Sequence, residues 1–261
     1  KYLGGLTDNV TALGSGRLNL KLDIPLNDEQ STKVKGSYHF TNSELDFGKI
    51  FPTARRVNGD LMFTESDVGT TNIVANILGG PASLEIGRSP DGATKIRLGG
   101  RANLVELHQL NPHPLLGKMA GDPAWNIEAV VKNRLSKVLL TSSLKGLQSD
   151  LPAPFSKRAD EIINLRFETS DLSADRRLMN IQYGTLINSN ILNIKNNDGS
   201  WEVERGVVNF GNAMPRAGKD GLWLTGTLPR LSVEGWGPLA AAFDSGGGGE
   251  SFRIAGADLL I

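Results

Sequence analysis

Apolar side chains recur at every second position through most of this chain. In "GSGRLNLKLDIPL", residues 14–26, Leu18, Leu20, Leu22, Ile24 and Leu26 alternate with Arg17, Asn19, Lys21 and Asp23. Successive side chains of a β-strand point to opposite faces, so this spacing predicts a strand with one apolar and one polar face. The same period returns at Val34, Gly36, Tyr38 and Phe40, at Gly59, Leu61 and Phe63, at Leu84 and Ile86, and at Ile96 and Leu98. It continues through Ile127, Ala129 and Val131, then Ile163, Leu165 and Phe167, then Met179, Ile181 and Tyr183. Leu192 and Ile194, Trp201 and Val203, and Leu222 and Leu224 complete the series. Strands this short and this numerous predict a mainly β, antiparallel architecture.

The punctuation between runs agrees. "SPDGATK" (89–95) and "NNDGSWE" (196–202) each place Asp-Gly between alternating segments. Glycine reaches the positive φ of a tight turn without steric cost, so both are hairpin signals. Helical spacing appears in "NLVELHQLNPHPLLGKMAG" (103–121), at Leu104, Leu107 and Leu110 and again at Leu115, Leu116 and Met119. This predicts a helical insert over about 104–120, capped by Asn103 and divided by Pro112 and Pro114. A short helix is also expected within "VEGWGPLAAAFDSGG" (233–247), and "DSGGGGES" (244–251) reads as a flexible Gly-rich loop centred on 245–250. Gly36-Ser-Tyr-His-Phe and Gly59-Asp-Leu-Met-Phe form a weak internal repeat, as an elongated sheet of similar hairpins would produce.

Composition narrows the possibilities. A single all-β segment can span all 261 residues. Lys plus Arg and Asp plus Glu both number 28, so the formal net charge is zero. That balance argues against a nucleic-acid partner and against adhesion to anionic lipid by charge alone. The chain has no cysteine, which excludes disulfide frameworks, zinc ribbons and thiol catalysis. No run approaches the ~20 apolar residues of a spanning helix. No signal peptide is visible at Lys1, and "FRIAGADLLI" reads as mid-strand, so a fragment of a longer protein is expected.

Catalytic chemistry is not apparent. His39 lies on the polar phase of a strand, and His108 and His113 match no zinc-ligand spacing. There is no nucleophile elbow and no phosphate-cradling glycine loop. Asp160-Glu161 and Asp171 with Asp175 read as solvated loop carboxylates rather than general acids or bases. Asn9-Val10-Thr11 matches a glycosylation tripeptide of a kind that arises often by chance. Trp125, Trp201, Trp223 and Trp236 read as core or rim packing. The expectation is a non-enzymatic protein without cofactor or metal.

Nearly every strand thus has an apolar face, and a few short helices cannot cover them all. Two sheets can cover each other, one sheet can curl on itself, or something other than protein can fill the space. "GSGRLNLKLDIPL" is followed by "KVKGSYHFTNSELDFG", "NGDLMFTESDVGTTNIVANILGGPASLEI", "LKGLQSDLPAPFSK" and "DGLWLTGTLPRLSVEGW". In this order they resemble the middle region of YhdP-type members of the AsmA-like family of Gram-negative envelope proteins. The most specific pieces are "LGGP" (78–81), "GLQSDLPAP" (146–154) and "GLWLTGTLPRLSVEGW" (221–236), and the resemblance runs from Tyr2 to the C-terminus.

The resemblance implies an elongated, twisted sheet curled into an open groove, a half-barrel with two or three short helices. It implies a periplasmic location, with an inner-membrane anchor and outer-membrane contacts in parts outside this chain. It implies a hydrophobic conduit in which phospholipid acyl chains complete the burial. The residues expected to line it are Leu18, Leu20, Leu22, Ile24, Leu61, Phe63, Leu84, Ile86, Ile96, Leu98, Ile127, Val131, Leu165, Phe167, Ile181, Tyr183, Leu192, Ile194, Leu222 and Leu224. Period two gives a face and not its occupant. The competing reading is a non-catalytic β-sandwich or spacer with a dry core; an edge-to-edge dimer is a further expectation.

Overall fold

The computed structural model describes residues 11–25, 33–46, 52–65, 67–110, 112–133, 135–213, 215, 217–228, 234–236 and 254–260. Leu26, the Asn9 tripeptide, the Gly-rich loop and most of the 233–247 helix lie outside the described residues. Of that helix, 234–236 is helical.

The strands are β1 (Thr11–Asp23), β2 (Lys33–Asp46), β3 (Ala54–Thr64), β4 (Val68–Ile77), β5 (Gly80–Arg88), β6 (Thr94–Arg101), β7 (Met119–Gly121) and β8 (Ala124–Lys132). They continue as β9 (Leu135–Ser142), β10 (Leu147–Ser149), β11 (Leu165–Asp171), β12 (Arg176–Tyr183), β13 (Ile187–Lys195), β14 (Trp201–Phe210), β15 (Gly221–Thr227) and β16 (Ile254–Leu260). Fourteen of them form one sheet in the order β1-β2-β3-β4-β5-β6-β8-β9-β11-β12-β13-β14-β15-β16; β7 and β10 pair separately. Among the described residues the large sheet does not close into a barrel, and no second large sheet faces it.

The sheet is mixed rather than wholly antiparallel. β14 and β15 pair in parallel, and so do β15 and β16. Alternation has the same period in either direction, so strand polarity was not readable from it. The chain groups into two compact units, residues 1–101 with 126–136, and residues 102–125 with 137–261.

Local chemistry explains the elements. The two Asp-Gly segments form the β5–β6 and β13–β14 turns, with Gly92 and Gly199 at positive φ. Within "LGGP", Leu78 (φ 54°) and Gly79 (φ 76°) are the two-residue turn between β4 and β5, a geometry of positive φ at both positions that follows the sheet twist. Helix α1 (Leu104–Leu110) is capped as expected: Asn103 Oδ1 accepts from the Glu106 amide at 3.0 Å. After Pro112 and Pro114 a 3-10 turn, Leu116–Lys118, resumes the spiral.

In the first unit a band of bulges crosses four strands, with register shifts at Leu13/Ser15, Phe40/Ser43, Arg55/Asn58 and Thr70/Ile73. Asn42 (φ 46°) and Arg56 (φ 52°) occupy the bulges of β2 and β3. Asn58 ties them together: its Oδ1 accepts from the Asn42 amide at 3.0 Å and its Nδ2 donates to the Arg56 carbonyl at 2.8 Å. Each bulge inserts one residue and so changes which parity faces inward. On β2 the apolar phase runs Val34, Gly36, Tyr38, Phe40 and then Ser43, Leu45; on β4 it runs Val68, Thr70 and then Ile73, Ala75, Ile77.

Candidate functional site

Residues opposite one another in a ladder share a face, so the register assembles each apolar surface. In the first unit Leu18 lies opposite Tyr38, and Tyr38 opposite Leu61; Leu20 lies opposite Gly36, and Gly36 opposite Phe63. Phe63 is opposite Val68, Thr70 opposite Ile86, Ile73 opposite Leu84, and Leu84 and Ile86 opposite Leu98 and Ile96. From Gly16 on β1 to Gly100 on β6, the only charged side chain on this phase is Arg88, at the end of β5. Charges gather on the other phase. There Asp23 faces Lys33, Glu85 faces Arg97, and His39 Nδ1 lies 2.9 Å from Asp60 Oδ1.

Aromatic rings smooth this surface. The Tyr38 ring lies over Gly16 and the Phe63 ring over Gly36, where any Cβ would run into them. Tyr38 and Phe40 meet edge to face, centroids 4.7 Å apart. Of the two glycines in the Gly-x-apolar-x-Phe repeat, Gly36 thus receives a ring from the neighbouring strand, whereas Gly59 packs against the Asn72 backbone.

The surface is covered unevenly. Val57, Ile73 and Ile77 are buried, and Leu61, Phe63, Leu84, Ile86, Ile96 and Leu98 are half-buried. Leu18 (55% exposed), Leu20 (50%), Leu22 (50%) and Ile24 (54%) stay open to solvent. On β8 only the apolar phase is buried, so protein already covers Ile127 (6% exposed) and Val131 (3%).

In the second unit Phe167 faces Leu140 and Ile181, Leu165 faces Tyr183, and Ile191 faces Met179 and Gly206. Leu222 and Leu224 continue the surface opposite Gly206 and Val208, with Leu222 buried. Leu192 and Ile194 do not belong to it. They lie on the opposite phase of β13, facing Leu178 and Arg176. "INSNILNIK" carries apolar residues at both parities, and only the pairing with β12 shows that Ile187 and Ile191 share a face with Ile181.

Aromatic packing closes one end of this surface. Phe155 lies 6.1 Å from Tyr183 and 5.6 Å from Trp236, centroid to centroid, and Trp236 Nε1 donates to the Ala153 carbonyl at 3.2 Å. Two of the sequence's most distinctive phrases thus meet in space. The loop bearing Phe155 is held by Lys157, buried at 4% exposure, whose Nζ donates to the carbonyls of Leu147 (2.9 Å), Arg158 (2.9 Å) and Glu161 (2.7 Å). Burial lowers the Lys157 pKa and, with help from Glu161, raises that of the Tyr183 phenol.

At the other end of β12, Arg177 Nε donates to Asp171 Oδ1 at 2.7 Å while its guanidinium sits 4.4 Å from the centre of the Trp201 ring. Lys195 Nζ lies 5.9 Å from the same ring. Alternation alone does not reveal this cluster, because its members lie on four strands and only the register brings them together.

No group of three or more His, Asp or Glu side chains among the described residues is placed to hold a metal ion. No helix among them is long and apolar enough to cross a membrane. Residues 1–258 match the family described as YhdP protein. No curated protein and no solved structure matches the chain.

Proposed function

The chain belongs to the YhdP family of AsmA-like bacterial envelope proteins, a non-enzymatic family, and from that premise we propose that it is a segment of a hydrophobic conduit for phospholipid. In this reading acyl chains complete the burial that the sheet leaves unfinished, and the segment serves transfer between inner and outer membranes from the periplasm. One observation carries it. A phase almost free of charge extends from β1 to β6, yet Leu18, Leu20, Leu22 and Ile24 are half exposed and no second large sheet among the described residues covers them.

The magnitudes favour hydrocarbon as the covering. Each methylene taken from water is worth about 0.8 kcal/mol, and such contact has no direction. A lipid is therefore held by the sum of many contacts and can still slide. Leu, Ile, Val and Phe suit that role, because a hydrogen-bonding side chain would bind a mobile ligand at fixed points.

The test is organic extraction of the purified chain, followed by mass spectrometry. Co-purifying phospholipid that is lost in Leu20→Asp while the circular dichroism spectrum stays unchanged supports a conduit. A chain that carries no lipid and unfolds on that substitution is instead a spacer with a dry core.

A further inference from the structure

The polar end of the second unit's apolar surface has the composition of a head-group site. We propose that Arg177, Lys195 and Trp201 hold the phosphate of a phospholipid whose acyl chains lie over Met179 and Ile181; the inference rests on the conduit reading above. Arg177, Met179, Ile181 and Tyr183 occupy one phase of β12, and Lys195 lies opposite Trp201 in the β13–β14 ladder. The positions of Arg177 and Lys195 near the Trp201 ring place all three on that same face.

The charges suit a phosphodiester. Asp171 balances Arg177 through the 2.7 Å contact, which occupies only Nε of a guanidinium with five N–H donors. Lys195 has no carboxylate partner among the described residues, so the cluster of Asp171, Arg177 and Lys195 carries one net positive charge against the single negative charge of the ligand. Trp201 adds an amphipathic ring of the kind that settles where hydrocarbon meets water.

The length also fits. From Arg177 to Tyr183 the strand spans about 20 Å at ~3.3 Å per residue. One leaflet of hydrocarbon is about 15 Å, half of a ~30 Å bilayer core. A lipid anchored at Arg177 and Lys195 thus lays its tails along β12 and ends before the Phe155–Tyr183–Trp236 cluster that closes the far side. Ser189, opposite Ile181, interrupts the apolar path, but its hydroxyl is already engaged with the Ile181 amide at 2.9 Å.

The experiment titrates the purified chain with two fluorescent lipids of identical acyl chains, a phosphatidylglycerol and a diacylglycerol, with inorganic phosphate as competitor. Lys195→Glu is expected to weaken the phosphatidylglycerol roughly fivefold or more, to leave the diacylglycerol unchanged, and to do so at an unaltered melting temperature. Lys195→Gln, which changes the fold least, should show the same selectivity to a smaller degree. Millimolar phosphate should not displace the lipid. Equal effects on both lipids, or none on either, would overturn the head-group site and leave the conduit standing. Displacement by phosphate alone would make this a site for the free anion and overturn the lipid assignment. A wild-type chain that binds neither lipid would overturn both readings.

Discussion

At Gly59 the backbone φ of +130° and the Asn72 carbonyl leave no room for a Cβ. Gly59→Ala is therefore expected to cost about 1–3 kcal/mol, read as a lower urea midpoint. Gly87→Ala, where a Cβ meets nothing within 4 Å, should stay within about 0.5 kcal/mol. A second residue-level prediction concerns pH. Glu168 accepts from Lys137 Nζ at 2.7 Å and Arg166 Nη2 at 2.6 Å, and these bonds, Lys137 first, hold its carboxyl below the ordinary 4.5. The folded state then binds the proton less readily than the unfolded chain, so the contribution is present above that ordinary value and disappears as pH falls through the lowered one. Glu168→Gln should destabilise the protein at pH 7, with its difference from wild type shrinking in acid; a difference independent of pH in urea titrations would contradict this.

At the scale of the element, β1 and β8 show the same alternation with opposite consequences. Val131 on β8 is 3% exposed, and Leu20 on β1 is 50% exposed. Val131→Asp buries an unpaired charge and should cost several kcal/mol or prevent folding. Leu20→Asp should change stability by about 0.5 kcal/mol at most, because its carboxylate stays in water. Alternation gave the existence of these strands, the two Asp-Gly turns and the Asn103 cap, since each depends on neighbours in sequence. It did not give occupancy, which depends on what lies across the sheet. The bulges leave a trace in the sequence, the change of apolar parity between Phe40 and Ser43 and between Thr70 and Ile73. On β13 both parities are apolar, and alternation by itself points to Leu192 and Ile194 for a face that Ile187 and Ile191 occupy. That choice is made by pairing with β12, a long-range fact that no local pattern contains.

At the scale of the whole molecule, the equal numbers of acidic and basic residues conceal a division. In the first unit one phase gathers the ion pairs, such as Arg55 with Glu44 at 3.5 Å, and the other gathers Leu, Ile, Val and Phe. A neutral sum therefore coexists with one almost uncharged face, and only the register shows where the charges lie. The parallel pairing of β14, β15 and β16 was likewise beyond local reading, because the direction of a strand depends on the path of its connection. The central claim is that hydrocarbon lies against the apolar phase and not against its reverse. Its most direct measurement is photo-crosslinking in cells that make the protein, with a benzophenone side chain placed at Leu20 or Ile181 and, as controls, at Lys21 or Gln182. The account predicts phospholipid adducts by mass spectrometry from Leu20 and Ile181 and none from Lys21 and Gln182. Adducts from all four positions alike, or from none, would contradict it.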